Sequence, residues 1–257
     1  MIWSASQHLS GLAFLLKKPL KSFIRPAVGI QALALLFCLC ASAGLFSPCA
    51  SAQSTDDALL TGWLNAQTNI QTWEADFVQT RTLKSLTQPL TATGHVWFAA
   101  PNRFRWEITK PSHTIAVRQA TQMLVLYPKL KYGERYALDS DKAKDWKDTL
   151  ALLDAGFPRS REQVESRFRI LSQSTTNGLH EITLQPKAEA ARRIMPQIKI
   201  GFDAANFSLR STELQFADGS TMQNVFTNAI LNPRIEESVF NPEIGLDWKM
   251  TEPFKGK

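Results

Sequence analysis

The stretch Gly94-His-Val-Trp-Phe-Ala-Ala-Pro-Asn-Arg-Phe-Arg-Trp-Glu-Ile-Thr-Lys-Pro111 holds two short aromatic runs joined by Ala99-Ala100-Pro101-Asn102. In the second run Phe104, Trp106 and Ile108 alternate with Arg103, Arg105 and Glu107. A period of two puts alternate side chains on opposite faces of a strand, so the run predicts one apolar and one polar face. Pro101-Asn102 predicts the turn between this strand and the one before it. What the apolar face covers decides the fold.

Similar segments surround it. "ADFVQTRTL" from Ala75, "QPLTATGHVWF", "HTIAVR", "QMLVLYP" and "KYGERYAL" are short and closely spaced, with turn residues between them. Further along, "RFRILSQS" and "HEITLQP" flank Asn177-Gly178, a strong hairpin signal. "QIKIGFD", "LRSTELQF" and "TMQNVFTNAIL" follow, the last after Asp218-Gly219, and "SVFNPEIGLDWKM" closes the chain. This pattern predicts a long, meandering antiparallel sheet. Three segments read as helices. Ser54 with Asp57 fits a capping box that opens a helix through Leu59, Leu60, Trp63, Leu64 and Ile70 to about Thr72. Trp146, Leu150 and Leu153 recur at helical spacing within residues 141–156, and Ser160 with Gln163 caps a short helix through Val164. These amphipathic helices must lie on the sheet's apolar face.

The first fifty residues read differently. Lys17, Lys18, Lys21 and Arg25 precede the apolar run "AVGIQALALLFCLCASAGLF", and Ala50-Ser51-Ala52 offers a small-residue cleavage site. These features predict a secretory signal peptide over residues 1–52, cleaved before Gln53, leaving 53–257 as a single domain. A retained anchor is the alternative, since the run approaches the roughly 20 residues that span a bilayer. All three cysteines, Cys38, Cys40 and Cys49, lie in the leader, so the remainder has no thiol for a disulfide or metal. The 257-residue chain carries 29 basic and 23 acidic residues, or +6; without the four leader cations this falls to +2. Such a balance gives no reason to expect a nucleic-acid partner.

Catalytic patterns are missing. The sequence holds no G-x-S-x-G, no glycine-rich phosphate loop and no H-E-x-x-H. His95, His113 and His180 stand singly and are expected at the surface or at sheet edges. Glu236-Glu237 is expected to be solvated, and Arg192-Arg193 to form a wet helical face. Neither an enzyme nor a metal or cofactor site is expected. The aromatic supply is high, with tryptophans at 63, 73, 97, 106, 146 and 248 beyond the leader. Pattern alone does not separate a filled core from a cavity.

The order of these motifs resembles the LolA family, periplasmic carriers that take lipoproteins to the outer membrane. "WEADFVQTR" followed by "GHVWFAAPNRFRWEITKP", then "HEITLQPK", then "IKIGFDAANFSLRSTELQFADGSTMQNVFTNAILN" with "IEESVF", matches the family's succession from about Asp56 to Asp247. The resemblance implies a mainly β fold with α: an incomplete, strongly curved antiparallel β-barrel whose concave apolar face is covered by helices. It implies a monomeric periplasmic carrier. Acylated lipoproteins enter its apolar cavity from an inner-membrane ABC-type complex and leave for an acceptor lipoprotein at the outer membrane. On that reading Phe77, Phe104, Trp106, Ile108, Ile198, Ile200 and Phe216 line the cavity, and Leu60, Trp63, Trp146 and Leu150 belong to the lid. A non-catalytic sensor, or a carrier of another lipid or glycolipid, is the alternative. One position departs from the family: Ala100 stands where the family has an arginine before the proline, thought to tie sheet to lid. Arg103 and Arg105 are the nearby substitutes, but strand alternation directs both away from Phe104.

Overall fold

The computed structural model describes residues 50–138, 158 and 160–253. The leader and the helix expected over 141–156, with Trp146 and Leu150, lie outside the described residues.

Helix α1 (Ala50–Thr68) precedes strands β1 (Thr72–Thr82), β2 (Leu90–Ala99), β3 (Arg103–Lys110), β4 (Thr114–Arg118), β5 (Gln122–Tyr127) and β6 (Tyr132–Ala137). The second half comprises α2 (Arg161–Arg167), β7 (Phe168–Thr176), β8 (Leu179–Pro186), α3 (Glu189–Ile194), β9 (Gln197–Asp203), β10 (Leu209–Gln215), β11 (Thr221–Leu231) and β12 (Lys249–Thr251). They form one curved 12-stranded sheet that is not closed into a barrel, in the order β12-β6-β5-β4-β3-β2-β1-β11-β10-β9-β8-β7. The long β1–β11 pair therefore joins the two meanders. Pairing is antiparallel throughout except for β12, which adds parallel to β6 and departs from the all-antiparallel expectation.

Local chemistry explains the joints. Asn177 and Gly178 both take positive φ, 53° and 77°, which the tight two-residue hairpin between β7 and β8 requires. Ser160 caps α2 by accepting a hydrogen bond from the Gln163 amide at 3.1 Å. Ser160→Ala should therefore lower stability by about 1 kcal/mol, read from the urea midpoint. Helix α1 starts ahead of Ser54, which places the expected capping box inside the helix. Ala50 and Ala52 are strong helix formers and extend it backwards.

Register assigns the faces. Phe98, Val96 and Gly94 on β2 pair with Trp73, Ala75 and Phe77 on β1, and Phe104, Trp106 and Ile108 on β3 fall on the same side. Phe226, Leu214, Ile198, Ile200 and Ile182 continue this inner face through β11, β10, β9 and β8. The buried residues Leu60, Trp63 and Leu64 of α1 pack on it, forming the main core.

The opposite, outer face is not uniformly wet, contrary to the expectation from β3. Ala99, Ile115, Val117, Leu124, Leu126 and Phe240 form a second buried cluster, flanked by Trp97, Ile235, Ile244 and Trp248. Residues 232–250 thus cross the outside of β2–β6. Glu237 proves to be part of this strap. Arg103 Nη1 reaches both its carboxylate oxygens at 2.6 Å, and the Arg103 guanidinium lies 4.9 Å over the Phe240 ring. Arg105 donates to the Val239 carbonyl at 3.2 Å, and Gln119 donates to that of Phe240 at 2.8 Å.

Candidate functional site

The inner face is the candidate site, and it is built from rings. Trp63 of α1 stacks on Phe202 of β9, with centroids 5.0 Å apart and planes 2° from parallel. Phe77 lies 4.3 Å from Trp106, and Phe226 meets Trp73 edge-on at 5.3 Å. Such contacts add to area burial, yet their apolar edges make no directional demand on a neighbour. Trp106 is half-buried and touches both the main core and a third cluster of Ala116, Met123, Val125, Tyr136 and Leu138, where Phe104 also packs. Its Nε1 has no hydrogen-bond partner among the described residues.

The residues expected to line a cavity are thus brought together on one face, although not equally. Phe77, Ile108, Ile198, Ile200 and Phe216 are buried in the main core, whereas Phe104 and Trp106 are half-buried at its border with the third cluster. Leu60 and Trp63 of the expected lid sit against the same core. Ala100 also packs against it, so an arginine there would start from the inner side. Arg103 and Arg105 do not replace it, since both are engaged with the strap on the outer face. A surface hollow bounded by Asn177, Gly178, Asp203 and Arg210 contains none of the expected residues.

Polar contacts tie α1 near its middle and just past its C-terminal end. About two turns into the helix, Asp57 pairs with Arg161 at 3.3 Å, and Asp56 lies 3.8 Å from His180. Past its end, Asn232 donates to the Asn69 carbonyl at 3.1 Å and accepts from the Gln71 amide at 2.7 Å. Between the ends, Leu60, Trp63 and Leu64 supply the contact.

His180 corrects a sequence expectation. It is neither at the surface nor at an edge but fully buried, facing inward with Ile182 and Leu184 along β8. Its Nδ1 lies 2.7 Å from Thr175 Oγ1, and its ring sits 5.0 Å from Phe202. The signal was available, because "HEITL" alternates with the histidine in phase with the apolar residues. Burial pulls the imidazole below its ordinary value, and the Asp56 carboxylate only partly opposes this. The folded state therefore prefers the neutral ring. That contribution is complete above about pH 6.5 and is lost as pH falls through that value towards the folded pKa. The urea midpoint should drop between about pH 7 and 5.5, and His180→Gln should flatten that part of the profile.

At the far side of the inner face, Tyr136 donates to Glu134 at 2.5 Å and Tyr132 to the other oxygen at 3.3 Å. Burial, reinforced by the Glu134 charge, pushes the Tyr136 phenol above its ordinary value. Among the described residues no group of three or more His, Cys, Asp or Glu side chains is arranged to hold a metal, and no helix is long and apolar enough to cross a membrane.

An apolar inner face on an open antiparallel sheet, with an amphipathic helix laid upon it, agrees with the family comparison. The family model "Outer membrane lipoprotein carrier protein LolA" matches residues 68–243. The chain belongs to the LolA family. An outer-membrane lipoprotein carrier protein of Cupriavidus necator is 28% identical over 151 residues, taking in 58% of this chain and 65% of that protein. The chain thus spans a little under two thirds of that relative. The carrier protein of Cupriavidus pinatubonensis is 26% identical over 216 residues, covering 80% of this chain and 92% of its own. Among solved structures, an uncharacterized conserved protein of Thermus thermophilus superposes with a TM-score of 0.45 at 10% identity, covering 79% of this chain and 99% of its own. A LolA superfamily protein of Nitrosomonas europaea gives 0.39 at 8% identity, covering 72% and 96%.

Proposed function

We propose that this LolA-family chain is a non-catalytic periplasmic carrier, delivered there by cleavage of its leader. It would shield the acyl chains of lipoproteins between inner and outer membranes. The observation that carries the reading is the way α1 is held: polar contacts at Asp57 and past its C-terminal end, and Leu60, Trp63 and Leu64 against an aromatic inner face between them. An acyl chain can replace those apolar contacts in kind, so moving α1 aside need not strand a charge. The gain is large enough to matter. Each buried methylene contributes about 0.8 kcal/mol, so one chain of about 16 carbons gains on the order of 12 kcal/mol on leaving water.

Release matters as much as capture. The main core of the inner face offers hydrocarbon and ring faces, which suits a carrier that must yield its cargo, and the Glu134 carboxylate at the far side is taken up by Tyr132 and Tyr136. Phe77, Ile108, Ile198, Ile200 and Phe216 form the floor, Phe104 and Trp106 the border, and Leu60 and Trp63 the movable cover. An inner-membrane ABC-type complex would load it, and an outer-membrane acceptor lipoprotein would unload it.

The test is reconstitution. Protein expressed in its own periplasm should purify with acylated lipoprotein in a near-stoichiometric complex, and should pass it to acceptor-bearing liposomes. A stoichiometric complex with a membrane signalling protein and no transfer of lipid would overturn the carrier reading in favour of a sensor.

A further inference from the structure

The side of α1 that faces the sheet carries Leu60, Trp63, Leu64 and Gln67, at i, i+3, i+4 and i+7. The first three are expected there; the fourth is polar. Gln67 is only 3% exposed, and Trp63 only 1%. Gln67 Oε1 and Trp63 Nε1 are both buried, and neither has a hydrogen-bond partner among the described residues.

Several polar groups elsewhere on the inner face are paired, although Trp106 Nε1 has no partner among the described residues. Gln79 donates to Asn224 Oδ1 at 3.0 Å, and Asn224 donates onward to Thr212 Oγ1 at 3.0 Å. His180 has Thr175. Folded proteins pair nearly all their buried polar atoms, so an unpaired donor and an unpaired acceptor on one side of one helix stand apart. Four residues advance a helix by about 6 Å. Two hydrogen bonds of about 2.9 Å with an amide between them can bridge such a gap.

A donor and an acceptor about one helical turn apart can complement a secondary amide. The amide carbonyl would accept from Trp63 Nε1, and its N–H would donate to Gln67 Oε1. An ester has the carbonyl but no N–H. We propose that α1 reads the linkage at the head of the bound acyl chain, and that the inner site prefers an amide-linked chain to an ester-linked one. This rests on the carrier reading, since the chain must lie against the inner face for α1 to meet its head. The preference runs against what a purely apolar lining would produce. Such a lining would favour the ester, because burying an unpaired amide N–H carries the larger desolvation cost.

The experiment uses the delipidated full-length mature protein loaded with the apolar fluorophore N-phenyl-1-naphthylamine. N-methylhexadecanamide and methyl hexadecanoate, matched in length, compete for it. The amide should displace the fluorophore with roughly fivefold higher affinity than the ester, the size of one neutral hydrogen bond. Gln67→Met should bring the amide-to-ester ratio below one, because the amide N–H is then buried unpaired. Trp63→Phe keeps the ring on Phe202 while removing the donor, and should weaken both ligands by roughly fivefold with little change in their ratio. Thermal unfolding checks the variants, and Gln67→Met should melt no lower than the parent because it removes an unpaired buried oxygen. Equal affinities in the parent, or an amide preference that survives Gln67→Met, would overturn the amide preference and leave the carrier reading intact. Failure of both ligands to displace the fluorophore would overturn the two together.

Discussion

Gly94→Ala should destabilise the protein by about 3–4 kcal/mol and leave most of it insoluble on expression, a large fraction of the 5–15 kcal/mol typical of a domain. A Cβ at this position would lie 1.9 Å from the Glu107 carbonyl oxygen and 2.7 Å from the Phe77 ring. The first contact is with backbone, so no side-chain rotation relieves it. Gly94 also sits at the irregularity where β2 pairs with β3, between Thr93 opposite Lys110 and Gly94 opposite Ile108. Phe77 lies directly across on β1 and drapes its ring over the space that the glycine leaves. Parting the strands would break rungs of the ladder worth about 1 kcal/mol each and displace the Phe77–Trp106 contact. Urea denaturation of any soluble fraction, with circular dichroism as readout, checks the value.

Phe104→Glu should have the opposite profile: a folded protein that no longer takes up acyl cargo. Phe104 is half-buried at the border of the third cluster, so replacing it does not empty the main core. At this half-buried position the new carboxylate keeps contact with water in the unloaded protein but loses it against a hydrocarbon chain. Desolvating it costs several kcal/mol, which corresponds to a loss of loading of roughly a hundredfold or more. Loading is measured as lipoprotein recovered per mole of purified protein, and folding as an unchanged circular dichroism spectrum.

Much of this was legible because it depends on local periodicity. The alternation of Phe104, Trp106 and Ile108 fixed the face of β3, and Asn177-Gly178 placed the hairpin through its positive φ angles. Gathering Phe77, Ile198, Ile200 and Phe216 onto one face needed only alternation plus strand order. The outer strap was not legible. Phe240, Ile244 and Trp248 have no helical or strand period, and their partners Ile115, Val117 and Leu124 are over a hundred residues away. Arg103 and Arg105 read as wet for the same reason, since nothing local announces Glu237 or the Val239 carbonyl. His180 is a different kind of miss, and Gln67, for which the sequence raised no expectation, follows the same rule. Both fall in phase with apolar neighbours, so periodicity placed them inside while residue type suggested outside. Where those two disagree, as on α1 and β8, the structure follows the period and leaves a polar group in the interior.

The central claim is that acyl chains lie between α1 and the inner face of the sheet. Photo-crosslinking tests it most directly, with a lipopeptide carrying a diazirine near the end of its acyl chain and mass spectrometry of the labelled peptides. The account predicts labels on Trp63, Phe104, Trp106 and their inner-face neighbours, suppressed by an unlabelled lipopeptide. Labels confined to the outer face, at Val78 and Val225 or along the strap at Ile244 and Trp248, would contradict it.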